Sequence, residues 1–478
     1  MTAPLATSFS RWGTPPEPVT IPERARAYLL AAVGAATPRP AVDVAAVEPP
    51  PSQASAALLA ALAAATDDDA VRTDRTSRLG ACAGSSLSDL ARRRAGDVAD
   101  APDVVVVPAT PDAVAAVLAV AAEHRAAVVT LGGGTSVVGG VLMRRDGFDA
   151  VIALSTERLA AIGDVDPVSC LVTVGPGVTG PVLERLLAAR GFTLGHLPQS
   201  WERATIGGYV ATRSAGQASS GYGRSDEMVH GLRVATPAGD FAFGRGPSTA
   251  AGPDLRELFI GSEGVFGVIT EITLRVRHAP TVSRYEGVMF PSWQAGLDAF
   301  RVLAQAGLKA DVMRLSDRSE TTSTLAMNGP TGRLETAFTG YLKVRGAADG
   351  VLAILGWEGT TAAVKARRSG AWDLLGRHGA VPLGARIGRS WQHGRFSGPY
   401  LRDVLLDDGY LVETFETAAD WSSLVALHAT LGTTVEAALD DGGPGPLVMA
   451  HVSHVYETGA SLYVTVLARA EDDVSAQW

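Results

Sequence analysis

A run of glycines at the end of a strand constrains this chain more than any other feature. Val104-Val105-Val106-Val107-Pro108 is a short β-branched run bounded by proline, the pattern of a strand buried on both faces. Thr110-Pro111-Asp112 reads as a helix N-cap with proline at the first helical position. Val114, Val117, Leu118 and Ala121 then follow at helical spacing. A second β-branched run, Val128-Val129-Thr130-Leu131, leads into Gly132-Gly133-Gly134-Thr135-Ser136-Val137-Val138-Gly139-Gly140. The unit is therefore strand, helix, strand, glycine loop.

Consecutive glycines let backbone N–H groups approach an anion with no Cβ in the way, and Thr135 and Ser136 add hydroxyl donors. A plain turn uses the same residues, so context has to decide. A Rossmann fingerprint needs the loop to open a helix directly after the first strand. Here the loop follows the second strand, and Asp146-Gly147 and a strand-like Val151-Ile152-Ala153-Leu154 come next. No Gly-Lys-Ser/Thr follows, which excludes a P-loop.

Around this unit the chain divides in three. Residues 1–100 read as a helical N-terminal arm and lead-in segment, with Pro15, Pro16, Pro18 and Pro22 at the start. Pro49-Pro50-Pro51 separates two Ala/Leu-rich helical stretches, and the arm is expected to pack on the main body without carrying chemistry. Residues 101–279 alternate strands and helices, including a strand at Leu171 to Val174 and a helix at Pro181 to Arg190 closed by Gly191. Residues 280–478 carry longer helical stretches with Trp and Arg and read as a second lobe. The formal net charge of −9 argues against a nucleic-acid partner, which needs a basic face. Cys82 and Cys170 are too few for a disulfide framework or a cysteine zinc site. Met1 to Gly13 lacks a basic-then-apolar signal pattern, and Ala54 to Ala65 is too short to span a bilayer. The expectation is a soluble cytoplasmic protein.

Four stretches in order are similar to the vanillyl-alcohol-oxidase type of FAD-binding flavoprotein. They are Pro108 to Ser136, Thr205-Ile206-Gly207-Gly208 through Gly216, Tyr222-Gly223 with Val229 to Pro237, and Leu258-Phe259-Ile260-Gly261-Ser262-Glu263-Gly264-Val265-Phe266-Gly267-Val268-Ile269-Thr270. Six more narrow the resemblance to the alkyldihydroxyacetonephosphate synthase family: Ser77 to Asp97, Gly195-His196-Leu197-Pro198, Arg314-Leu315-Ser316-Asp317, Tyr400-Leu401-Arg402-Asp403, Glu413 to Thr417 with Trp421, and Thr458 to Tyr463. The fold this implies is α+β: a two-subdomain FAD-binding domain of the vanillyl-alcohol-oxidase type, an α+β cap (substrate) domain and the helical arm.

The resemblance implies non-covalent FAD acting as an electrophile, with no net redox change. The acyl group of an acylated dihydroxyacetone phosphate leaves as a fatty acid and a fatty alcohol replaces it. By position, FAD would be held by Thr130, Leu131, Gly132, Gly133, Gly134, Thr135 and Ser136, by Gln199, Ser200 and Thr205, by Gly208, Thr212, Arg213, Ser214 and Ala215, and by Glu263, Gly264, Val265, Gly267, Val268 and Ile269. Tyr463 would move the substrate proton, for which a lowered phenol pKa is expected. Arg402 would hold the substrate phosphate, and Arg314 would be a further arginine needed for activity. The partners implied are a small phosphate ester and a fatty alcohol; membrane association through the lipid and a homodimer are compatible with them. No metal site is expected.

Blander readings stand beside these. Tyr463 would be a half-buried strand residue, Arg402-Asp403 a surface ion pair, and Arg314 with Asp317 a helix salt bridge. His451 and His454 should fall on opposite faces of a strand, as structural histidines, and Trp391, His393 and Arg395 could line a pocket. Gln199 stands where the family carries an acidic residue, and Ala204 where it carries a hydroxyl. The family also has a run of histidines past the tyrosine strand, whereas this sequence reaches Gln477-Trp478 first. The expectation is a truncated chain that keeps the flavin fold with impaired chemistry. The alternatives are an FAD-linked oxidase or dehydrogenase of a small 2-hydroxy acid, and an inactive flavin-binding remnant. The region His451 to Glu457 lacks the His-x-Gly-Asp-Gly-Asn stretch of the former.

Overall fold

The four valines at 104–107 set the first layer. In the computed structural model, which describes residues 9–15, 17–244 and 246–478, Val104–Val106 is a fully buried strand. Residues 1–8, Pro16 and Arg245 lie outside the described part, and with them most of the Met1–Gly13 reading and two of the arm's prolines, Pro4 and Pro16. Val104–Val106 pairs in parallel with Ala150–Ser155, which pairs in parallel with Ala126–Leu131; Val71–Arg72 closes the other edge antiparallel. Thr110 caps the helix Pro111–Glu123 by accepting from the Ala113 amide at 3.2 Å. That helix buries Val114, Val117, Leu118 and Ala121 against the sheet, together with Leu58 and Leu62 of the arm helix Ala56–Ala65.

A second four-stranded sheet is antiparallel throughout, in the order Leu171–Val174, Val268–Arg275, Val229–Thr236, Gly239–Phe243. Between the two sheets runs the glycine loop, followed as expected by irregular chain rather than a helix until Ala150.

The remainder is built on a seven-stranded antiparallel sheet, ordered Val381–Gly384, Val282–Phe290, Val351–Gly359, Val312–Ser316, Leu447–Val455, Gly459–Arg469, Tyr410–Asp420. Helices Trp293–Gln305, Thr361–Arg377 and Trp421–Ala438 cover one face, where Leu297, Phe300, Leu375 and Leu424 pack on Phe290, Leu355, Trp357 and Leu462. Strand alternation sends the intervening side chains to the opposite face, toward the half that carries the two four-stranded sheets. Among the described residues no helix is long and apolar enough to cross a membrane.

The arm does more than the sequence suggested. Its helix Glu23–Val33 buries Leu29 and Val33 against Leu405, Tyr410, Val412, Met449 and Leu467, about 2 kcal/mol for each buried aliphatic side chain. The Tyr410 hydroxyl donates to the Gly34 carbonyl at 3.0 Å, and Arg94 and Arg11 both pair with Asp407 at 2.7 and 2.5 Å. Trp12, Val19, Ile21, Ala25, Tyr28 and Leu29 line the central cavity, so the arm also forms part of its wall.

Candidate functional site

One cavity of about 1210 Å³ runs between the two halves. A single small-ligand pocket measures roughly 300–1,000 Å³, so there is room here for a large cofactor and a substrate together.

At one end the wall is main chain. A Cβ on Gly133 would run into the Arg203 carbonyl and one on Gly132 into the Thr205 hydroxyl, so the loop lies flat against residues 203–205. Gly134 has φ +64°, which glycine adopts without strain. The amides of Gly133, Gly134, Thr135 and Ser136 donate to no protein acceptor among the described residues. Unpaired amides in a glycine turn are what a diphosphate requires, and the residues present fit FAD. Thr205 caps the helix Ile206–Ala211, accepting from the Gly208 amide at 3.2 Å. Arg213 and Glu263, both lining the cavity, hold left-handed φ of 52°; such outliers concentrate at functional sites.

Of the residues expected to hold the cofactor, eighteen line this cavity and three do not. Leu131 is buried in the apolar core behind the loop, Val268 packs into the core of the first sheet, and Val265 is 79% exposed to solvent. Thr130 and Gly132 flank Leu131 and face the cavity, as Gly267 and Ile269 do around Val268, so alternation decides both cases. Trp391 lines the cavity; His393 and Arg395 do not, and Arg395 donates to the Tyr285 hydroxyl at 3.3 Å.

The floor of the middle section is the seven-stranded sheet, with Tyr463, Arg314, His451, Glu416 and His454 on one face. His451 lies directly across from Tyr463, and the rings stack at 5.0 Å between centroids. Arg314 does not pair with Asp317. Its Nη2 donates to Glu320 at 2.6 Å and its Nη1 to His451 Nε2 at 2.7 Å, while His451 Nδ1 lies 3.0 Å from the same Glu320 oxygen. Nε2 accepts from a guanidinium, so Nδ1 must carry the hydrogen and His451 is neutral. Burial alone would raise the Glu320 carboxyl, but Arg314 and His451 outweigh it and hold the group at about 2. Asp317 instead caps the helix bearing Glu320 and accepts from His428 at 3.1 Å.

His451 and His454 share a face, which corrects the expectation of opposite faces. The register of strand Leu447–Val455 shifts between Val452 and His454, leaving Ser453 as the extra residue of a β-bulge, and His454 pairs with Ser461. His454 Nε2 is 3.4 Å from Glu416, whose carboxylate also accepts from Ser453 Oγ at 2.5 Å. Burial lowers His454 to about 4, and its Nδ1 has no partner. Burial also raises Tyr463 and Glu416; for the phenol this reverses the lowered value expected of a base.

Arg402 is partly buried on the helix Gly398–Asp407. Nη1 donates to the Ser85 carbonyl at 3.0 Å and Nε has no partner. Asp403 is not its ion-pair partner: it is buried, accepts from the Trp12 amide at 2.7 Å, and burial raises it to about 6. Beyond Arg402 the wall turns apolar, with Ile21, Leu29, Met327, Leu405, Met449 and Leu467. Sequence reasoning missed Glu320, Glu416 and this corridor.

Comparison with known proteins agrees with this geometry. Residues 102–242 match the FAD binding domain family and residues 279–478 the family of FAD linked oxidases, C-terminal domain. An alkyldihydroxyacetonephosphate synthase of Trypanosoma brucei brucei is 31% identical over 417 residues, covering 85% of this chain and 67% of that protein. The protein of that name from Dictyostelium discoideum is 29% identical over 414 residues, with the same coverages of 85% and 67%. A solved alkyldihydroxyacetonephosphate synthase superposes with a TM-score of 0.85 at 28% identity, covering 95% of this chain and 86% of that one.

Proposed function

Since the chain belongs to the alkyldihydroxyacetonephosphate synthase family of FAD-dependent enzymes, we propose that it exchanges the acyl group of an acylated dihydroxyacetone phosphate for a fatty alcohol, forming an ether bond. The observation that carries this reading is the order of surfaces in one cavity: unpaired loop amides, then an arginine-flanked phenol, then an apolar corridor.

FAD, when bound, supplies an electron-poor ring system to this cavity. Gly132, Gly133, Gly134, Thr135 and Ser136 would hold its diphosphate through main-chain donors, with Thr205, Thr212, Ser214 and Glu263 along the same wall. Arg402 keeps N–H groups free of protein acceptors and takes the substrate phosphate. Arg314 is spent on Glu320 and His451 and orients the floor rather than gripping substrate. Tyr463 moves the substrate proton between them, and the corridor beyond Arg402 takes the aliphatic chains and excludes water.

The test is to load the purified protein with FAD and supply palmitoyl-dihydroxyacetone phosphate with hexadecanol. The expected outcome is an ether-linked product and free palmitate in equal amounts, with no bleaching of the flavin by D-lactate or glycolate. Bleaching by either acid without ether product would replace this reading with that of a 2-hydroxy-acid dehydrogenase.

A further inference from the structure

Tyr463 stands between two carboxylate–imidazole pairs, and only one of them is closed. On the His451 side every polar nitrogen is engaged: Nε2 by Arg314 at 2.7 Å, Nδ1 by Glu320 at 3.0 Å. That pair has no room for another proton, because a protonated Nε2 would face the guanidinium. On the other side Glu416 is the direct cross-strand partner of Tyr463, on the cavity face of the adjacent strand. Among the described residues no arginine lies within salt-bridge distance of it. Its carboxylate is held by Ser453 Oγ at 2.5 Å and approached by His454 Nε2 at 3.4 Å, and His454 Nδ1 is buried with no acceptor or donor beside it.

We propose that Glu416 is the proton acceptor for Tyr463, with Ser453 and His454 as positioning residues that orient its carboxylate through the Val452–His454 bulge. The Tyr463 O–H bond breaks and, relayed by one water in the cavity, an O–H bond forms on Glu416, and the electron pair left on the phenolate oxygen takes the proton from the substrate carbon. Reversal returns both protons when the product C–H bond forms, so the cycle needs no external acid. Other charged or titratable groups face the phenol: His451 and His454 from strand Leu447–Val455, Arg314 from Val312–Ser316, Glu320 from the helix behind it, and Arg402 from Gly398–Asp407. Arg224, tied to Asp226 at 2.7 Å, acts on His454 from the flavin-type half. Of these, Glu416 is the carboxylate with no guanidinium partner in the described structure.

The role of Tyr463 rests on the function proposed above, so the test has an arm that needs no substrate. With Cζ-labelled tyrosine in the FAD-loaded protein, Tyr463→Phe identifies the Tyr463 resonance, whose titration is then compared in wild type and Glu416→Gln. Removing the carboxylate charge is expected to lower the Tyr463 pKa, by about one unit, as loss of a nearby like charge does. In turnover, kcat of Glu416→Gln should fall about 10²-fold with KM nearly unchanged and the alkaline limb of the pH profile displaced. Glu416→Asp should restore part of kcat, and flavin absorbance should be retained in both variants. An unmoved titration, or a moved one with wild-type kcat and pH profile, overturns the proposal. A moved titration in a wild-type protein that makes no ether lipid instead refutes the functional reading while the Tyr463–Glu416 coupling stands.

Discussion

The two walls of the cavity work by opposite rules. The glycine wall recognises by main chain and tolerates no side chain: Gly132, Gly133 and Gly207 would each drive a Cβ into Thr205, Arg203 or Pro176. The sheet floor recognises entirely by side chains, arranged by cross-strand register and one bulge. A main-chain surface has few ways to vary, so it suits a constant cofactor. A side-chain surface can be retuned one residue at a time, which suits the reacting end.

The largest effect is expected from breaking the first wall. Gly133→Ala forces the loop off residues 203–205, and we expect more than 100-fold weaker FAD binding, read from flavin absorbance after gel filtration. A floor substitution that released flavin as fully would break the contrast. Next comes Glu320→Gln, which leaves the Arg314 guanidinium without its carboxylate. Removing one partner of a buried pair costs about 3–5 kcal/mol, and the partial exposure of Arg314 places this case near the lower end. Urea titration should show that loss with FAD still bound, while nitrogen-15 shifts should show His451 still as the Nδ1–H tautomer, because Arg314 goes on donating to Nε2.

The smallest effect concerns pH. His454 is lowered from about 6.5 to about 4, so as pH falls below 6.5 the unfolded chain binds a proton that the folded one refuses. Stability is therefore lost on the way down, on the order of 2 kcal/mol between pH 7 and 5 from this group. Asp403, raised to about 6, works in the opposite direction, which is why a difference between two proteins is needed. His454→Gln should lose less stability over that interval than wild type; an equal loss would mean that His454 is not held neutral by its surroundings.

How far the sequence could be read follows the same division. The cradle was legible because backbone conformation demands glycine at fixed places, and the strand–helix–strand unit because Val104–Val107 and Thr110-Pro111 carry local signals. Leu131 and Val268 were included with their motifs although alternation along each strand would have set them aside. The His451–His454 arrangement was hidden because a bulge inverts the face of every later residue, and nothing local in Val452-Ser453-His454 announces one. Glu320 read as an ordinary acid in the first turn of a helix. Its inward turn depends on Arg314 and on His451, over a hundred residues away. The arm's contribution was invisible for the same reason: Leu29 and Val33 look like any apolar stripe until Leu405, Val412 and Leu467 are placed opposite them.

That last pairing has a consequence for biosynthesis. The surface receiving the helix Glu23–Val33 is assembled from residues 318 onward: Arg24 donates to the Gly329 and Pro330 carbonyls, Leu405, Val412 and Leu467 take the apolar face, and Arg469 donates to the Val33 carbonyl. A segment synthesised well before that surface thus waits for it before it can dock. Until then the two smaller sheets can form on their own while this side of the cavity stays uncovered.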